Sequence, residues 1–220
     1  MYLTIGLAVV VVATIAILLI VSSNSIKRMK DVTFKRSDVK AGSQTADHWR
    51  LWEDFAKTRE MKPIGHFVTQ PLTPVIMSAW RCPKPASFFV LHTVPGKSEM
   101  EQFRGVEFVT ILDSDAGTTL TTTTKSDGLT IPAGPGSWVQ CFPESTGTQL
   151  AQAHEKGLSW LNQKKSIKAD VQPADFPKIT AHCVQTQVRS FIQNRKFPLV
   201  ALWRFVVARH MEAGKSVWNQ

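Results

Sequence analysis

Residues 65–142 form a succession of short runs rich in β-branched and aromatic residues, separated by Pro, Gly and Asp, with no helix-length pattern between them. Parallel neighbours need crossovers of about a dozen residues or more, so runs joined this tightly pair as antiparallel neighbours. Five strands are expected, over 75–81, 87–94, 106–112, 118–124 and 137–142. Asp113, Asp115 and Gly117 supply turn geometry between the third and fourth, and Asp127-Gly128 turns the chain again. The run 119–124 is Thr at every position except Leu120, which suits a pleated, solvent-facing strand.

Helical spacing brackets this region. Leu51, Trp52, Phe55 and Ala56 recur on one side of a helix over 45–61, which Lys62-Pro63 ends because proline disfavours helix at the residue before it. Thr146 or Thr148 caps a second helix bearing Leu150, Ala153, His154, Leu158 and Leu161. A third spans 173–194, with Phe176, Ile179, Cys183, Val184, Val188 and Phe191 on its apolar face. A fourth starts at Pro198, a residue suited to the first helical turn, and reaches about 213. The expected class is α+β: a mainly antiparallel five-stranded sheet flanked by about four helices.

Ahead of this domain, residues 3–21 carry no charge and are mostly Val, Ile, Leu and Ala. At about 1.5 Å per residue such a helix is roughly 28 Å long, matching a hydrocarbon core of about 30 Å. A cleaved signal peptide would want a shorter apolar core preceded by positive charge, and only Met1 and Tyr2 precede this one. The sequence therefore reads as a transmembrane anchor over 1–22, a basic juxtamembrane linker over 23–44 and one α+β domain over 45–220. Lys27, Arg28, Lys30, Lys35, Arg36 and Lys40 all follow the apolar run, so the expected protein is a single-pass integral membrane protein with its domain in the cytoplasm. Three widely spaced cysteines, Cys82, Cys141 and Cys183, form no disulfide framework.

Charge is uneven. Residues 150–220 hold 11 Lys and Arg against 4 Asp and Glu, a net of +7, whereas residues 31–149 are nearly balanced. A basic third of this kind suits a solvated helix surface or an anionic lipid partner. Leu199, Leu202, Trp203, Val206 and Val207 share one side of the last helix, as a core stripe or an interfacial one. No recognition helix points to nucleic acid.

Enzyme signatures are missing. None of His48, His66, His92, His154, His182 and His210 has a second histidine three or four residues away, and no two cysteines are close enough for a zinc knuckle. His154-Glu155 lacks the second histidine of a zinc-protease helix, because position 158 is Leu. His154 instead falls between Leu150 and Leu158 at four-residue spacing, as a core histidine bonded to a backbone carbonyl. The loop from Asp113 to Gly117 departs from a calcium loop at its third ligand, Gly117, and at its sixth and twelfth positions, Thr118 and Thr124. Gly134-Pro135-Gly136 leads into a strand rather than a helix, and Ser137 sits in no nucleophile elbow. Glu99, Glu101 and Glu107 read as flanking an exposed turn, with no acid–base pair among them. No metal or cofactor is expected, and no catalytic residue is assigned.

One order of residues is familiar. Lys62-Pro63-Ile64-Gly65-His66-Phe67 is followed by Val106-Glu107-Phe108-Val109-Thr110, Thr118-Thr119-Leu120-Thr121-Thr122, Asp127-Gly128, Pro132, Pro135, Val139, Leu150 and His154. Over roughly residues 50–165 this resembles an uncharacterised group of bacterial membrane-associated proteins with a small α+β domain. The resemblance implies membrane association and the fold, and carries no activity. The expected function is a non-enzymatic, membrane-anchored domain that binds a protein or lipid at the membrane surface. The alternative is an enzyme acting on a membrane-proximal substrate through scattered residues such as His66, His92 and Cys141.

Overall fold

The structure, a computed structural model, describes residues 19–20, 23–24, 26–38, 46–70, 75–84, 86–93, 103–124, 133–163, 171–193, 197 and 199–200. Seven strands form one sheet: β1 (Thr33–Ser37), β2 (Lys62–Gln70), β3 (Ile76–Arg81), β4 (Ser87–Thr93), β5 (Phe103–Asp113), β6 (Thr118–Thr123) and β7 (Trp138–Cys141). Each strand pairs with its neighbours in sequence, so spatial order equals chain order. The pairs from β1 to β6 are antiparallel, and β6 and β7 run parallel. Three α-helices carry labels below: α1 (Ala46–Thr58), α2 (Gly147–Asn162) and α3 (Phe176–Ile192).

This corrects the expected five-stranded antiparallel sheet in two ways. First, β1 and β2 extend it at one edge. β1 lies in what reads as a polar linker, where its burial alternates weakly because it is an edge strand. β2 contains Pro63, which argues against a central strand. But β1 reaches only from Gln70 to His66, so the missing N–H of Pro63 falls beyond the end of β1 and breaks no ladder bond on that side. Second, the connection from Thr123 to Trp138 exceeds about a dozen residues, long enough to return the chain to the starting end and make a parallel pair.

The membrane reading is corrected as well. No helix among the described residues is long and apolar enough to cross a membrane. The run 3–21 that prompted the anchor, the single pass and the cytoplasmic orientation lies outside the described residues, except Leu19 and Ile20. The last helix expected from Pro198 also lies outside them, apart from Leu199 and Val200, and so do Trp203 and the basic residues around it.

Helices cover both faces of the sheet. On one face Trp52 and Phe55 of α1 meet Phe89 and Phe108, with ring centroids 5.1–6.4 Å apart across the cluster, and Trp80 closes against Phe89. Leu150 and Ala151 of α2 complete this core, and Leu158 and Leu161 pack on Leu112 and Leu120. Thr146 caps α2 through a reciprocal box with Gln149, as Ser/Thr-x-x-Glu/Gln pairs do. On the other face Phe176 of α3 stacks between Phe67 and Phe88, and Cys183 joins Met77, Val90 and Ile111. The C-terminal half of α3 buries Val188 and Phe191 against Ile26 and Phe197.

Two-sided cover explains β6. Leu120, Thr121, Thr122 and Thr123 are all buried, so the threonine run is an interior strand and not a solvent-facing one. Buried hydroxyls need partners. Thr122 bonds His154, Thr123 bonds Val106 O and Glu107, and Thr119 accepts from Gln187 of α3.

Candidate functional site

Between α3 and the sheet lies a half-enclosed cavity of about 290 Å³. Its origin is readable in α3. Thr180, Cys183, Val184 and Gln187 recur at i, i+3, i+4 and i+7 and therefore form one stripe facing the sheet. The aromatic side chains of α3 sit at the two ends of this stripe, Phe176 at one and Phe191 at the other. Opposite the stripe, Val109, Ile111, Thr119 and Thr121 of β5 and β6 are also short. Thr180, Cys183 and Val184 are too short to fill the gap, and Gln187 reaches across it to Thr119 Oγ1 at 3.3 Å. Met29, Val32 and Phe34 line it from the N-terminal segment and Thr69, Val75 and Met77 from β2, β3 and the link between them.

Two ionisable groups of opposite kind reach this cavity from the sheet. His92 Nε2 donates to Glu107 Oε2 at 3.0 Å, and the Thr123 hydroxyl lies 3.4 Å from Glu107 Oε1. The pair is deeply placed, its side chains 12% and 7% exposed. Backbone geometry makes room for it. The β4–β5 register shifts between His92 and Thr93, and the residue opposite His92 is Gly105 at φ +135°, a conformation that favours glycine and leaves no side chain against the imidazole. The Cys183 thiol is pushed up to about 12 by burial, so it stays protonated and is a poor nucleophile. The Thr180 hydroxyl is buried without a hydrogen-bond partner.

Glu107 corrects the reading of three carboxylates on an exposed turn. It lies inside β5, 6% exposed, while Glu99 and Glu101 fall outside the described residues. A signal was present: Glu107 is in phase with Val109 and Ile111, so alternation places it on an inward face. Thr180 and Gln187 were missed for a similar reason, being polar residues in phase with Cys183 and Val184.

The scattered residues His66, His92 and Cys141 are not brought together. His66 bonds Ser78 on the α1 and α2 side of the sheet, whereas His92 faces α3. Cys141 is on β7, separated from β4 by β5 and β6, and three strand spacings of about 4.8 Å put it roughly 14 Å away laterally. The three cysteines are buried and form no disulfide.

His154 belongs to a separate buried network on the opposite face. Gln140 Nε2 donates both to Ala153 O and to Thr122 Oγ1, at 3.2 and 2.8 Å. The Thr122 and Thr110 hydroxyls flank the imidazole, 2.8 Å from His154 Nδ1 and Nε2 respectively, so the neutral ring donates to one and accepts from the other. Thr110 in turn bonds Ser87 at 2.7 Å. The partners are hydroxyls, where a backbone carbonyl is the expected one. Burial, with a smaller contribution from the Lys84 charge, lowers His154 to about 3 and keeps it neutral.

Other singled-out residues build structure. Asp113 Oδ1 accepts from the N–H groups of Asp115 and Ala116 at 3.0 and 2.9 Å, closing the β5–β6 turn, and Ser137 Oγ accepts from Thr119 N at 3.0 Å. Among the described residues no three His, Cys, Asp or Glu side chains gather as a cation site. No family model, curated protein or solved structure matches the chain.

Proposed function

We propose that this chain is a binding domain whose ligand is a small, mainly apolar molecule held between α3 and the sheet. The observation that carries the reading is the cavity itself, about 290 Å³, with walls that are mainly apolar and with His92 and Glu107 among its polar groups. An apolar cavity of about 150 Å³ takes up benzene, so this one suits a ligand roughly twice that size. A few placed polar groups among apolar walls are the usual composition of a ligand site. Of the two partners expected for a binding module, protein or lipid, the lipid-like small molecule fits a half-enclosed cavity better than a flat protein surface does.

Benzene tests access directly. Methyl NMR of the full chain titrated with benzene should show shifts centred on Val109, Ile111 and Val184. Val184→Phe, which fills the gap from the helix side, should abolish them while the protein stays folded. Shifts that are absent in the parent protein, or that persist unchanged in the filled variant, would overturn the reading.

A further inference from the structure

We propose that Arg36, Lys62 and Arg81 form a binding site for a phosphate monoester group, away from the cavity and at one end of the sheet face that α3 covers. The register of the strands places the three cations. Lys62 and Arg81 are direct cross-strand partners of β2 and β3, so two like charges stand opposite each other, an arrangement that is destabilising when nothing neutralises it. Arg81 alternates with Met77 and Ala79, both in the core beneath α3, and so projects from that face together with Lys62. Arg36 reaches the same region from the edge strand. Its guanidinium Nε and Nη2 each lie 3.6 Å from the place a Cβ on Gly65 would take. Gly65 holds φ +148°, a conformation that favours glycine, and the bare backbone lets the guanidinium lie across it.

Gly65 faces Ala79, two residues along β3 from Arg81. With strands about 4.8 Å apart and a rise of about 3.4 Å per residue, the Arg36 guanidinium lies roughly 8 Å from the Arg81 backbone, a gap that one arginine side chain and one tetrahedral anion bridge. Among the described residues the ion pairs are made by Lys57, Lys84 and His92, and none by Arg36, Lys62 or Arg81. Asp38 and Glu60, each two residues along the chain from one of these cations, are exposed and pair with neither. The donor set selects the anion. Two guanidinium groups offer forked N–H pairs and the ammonium a point charge. A carboxylate answers them with one charge and two oxygens. A phosphate monoester brings about two charges and three acceptor oxygens, one for each cation, and sets negative charge between Lys62 and Arg81.

Glycerol 3-phosphate and glycerate, similar in size and differing in the anion, are titrated calorimetrically into the full chain at fixed ionic strength and about pH 7.5, where the ester is dianionic. The ester should bind at least about fivefold more tightly than glycerate. Arg36→Gln, Lys62→Gln and Arg81→Gln should each weaken it about tenfold, the loss of one charge-assisted contact. Lys57→Gln, on α1 across the sheet, should leave it unchanged. Flotation with phosphatidylcholine vesicles, with and without phosphatidic acid, identifies where the group comes from. Ester binding with no added flotation on phosphatidic acid assigns the site to a soluble phosphorylated molecule. Flotation that increases with phosphatidic acid and loses the increase in Arg81→Gln assigns it to a lipid headgroup. Glycerate binding as tightly as the ester overturns the phosphate assignment. Equal weakening in Lys57→Gln and the three variants means overall charge attraction and overturns the site, as does the absence of both ester binding and phosphatidic-acid-dependent flotation.

Discussion

A histidine enclosed by hydroxyls and stacked on Phe108 at 5.6 Å has one comfortable protonation state. His154 is neutral in the folded chain because its folded value, about 3, lies below the ordinary 6.5. The sign follows from linkage: the unfolded chain takes up a proton below pH 6.5 that the folded chain refuses until about pH 3. Stability from this residue is complete above pH 6.5 and is lost as pH falls from there, at up to about 1.4 kcal/mol per pH unit. Between pH 7.5 and pH 5 the loss should be about 2 kcal/mol, measured by urea denaturation. His154→Gln should be less stable at neutral pH and should lack this increment. An equally steep pH dependence in the variant would contradict the assignment.

At the scale of elements, α2 sits so close to β7 that its glycine matters. A Cβ on Gly157 would lie 2.6 Å from Gln140 Nε2, which is held by Thr122 and Ala153. On helix propensity alone, Gly→Ala in mid-helix raises stability by about 1 kcal/mol. Here the sign should reverse, with Gly157→Ala lowering stability by about 1–3 kcal/mol in urea denaturation, because the added methyl forces the helix or the amide away. The same elements show what a sequence discloses. α1, α2 and α3 have a 3.6-residue apolar rhythm, and β3 to β7 are punctuated by Pro, Gly and Asp, so each was legible. β1 and β2 were not: an edge strand buries too little to show alternation, and Pro63 disguises its strand. β6 was legible as a strand but not as an interior one, since a threonine reads the same in water and beside a buried imidazole. The candidate site was the least legible part. It is a shortage of volume across two elements far apart in sequence, visible only once Thr180 and Gln187 are seen to share the inward stripe with Cys183.

Taken whole, the molecule is a sheet with a separate core on each face, and the cysteines report on the two independently. Cys82 packs with the α1 and α2 side and Cys183 with the α3 side. Burial raises both to about 12, for Cys82 with a further push from Glu155 against the opposing Lys84. Iodoacetamide at pH 8, followed by peptide mapping, should therefore modify both far more slowly than in denaturant. Saturating benzene should slow Cys183 further and leave Cys82 unchanged; equal protection of both would mean global stabilisation and not occupancy of the cavity. The identity of spatial and chain order has a different consequence, for the chain during synthesis. From β2 to β6 every new strand finds its partner already made and immediately behind it, so the sheet is able to grow one hairpin at a time as residues leave the ribosome. β7 breaks this rhythm, since it must double back alongside β6 before it pairs, and α2 and α3 follow only afterwards. A nascent chain halted after Thr123 would thus hold most of a sheet with one long open edge and the α2 and α3 sides of its faces bare, and that is the length at which a chaperone has most to protect.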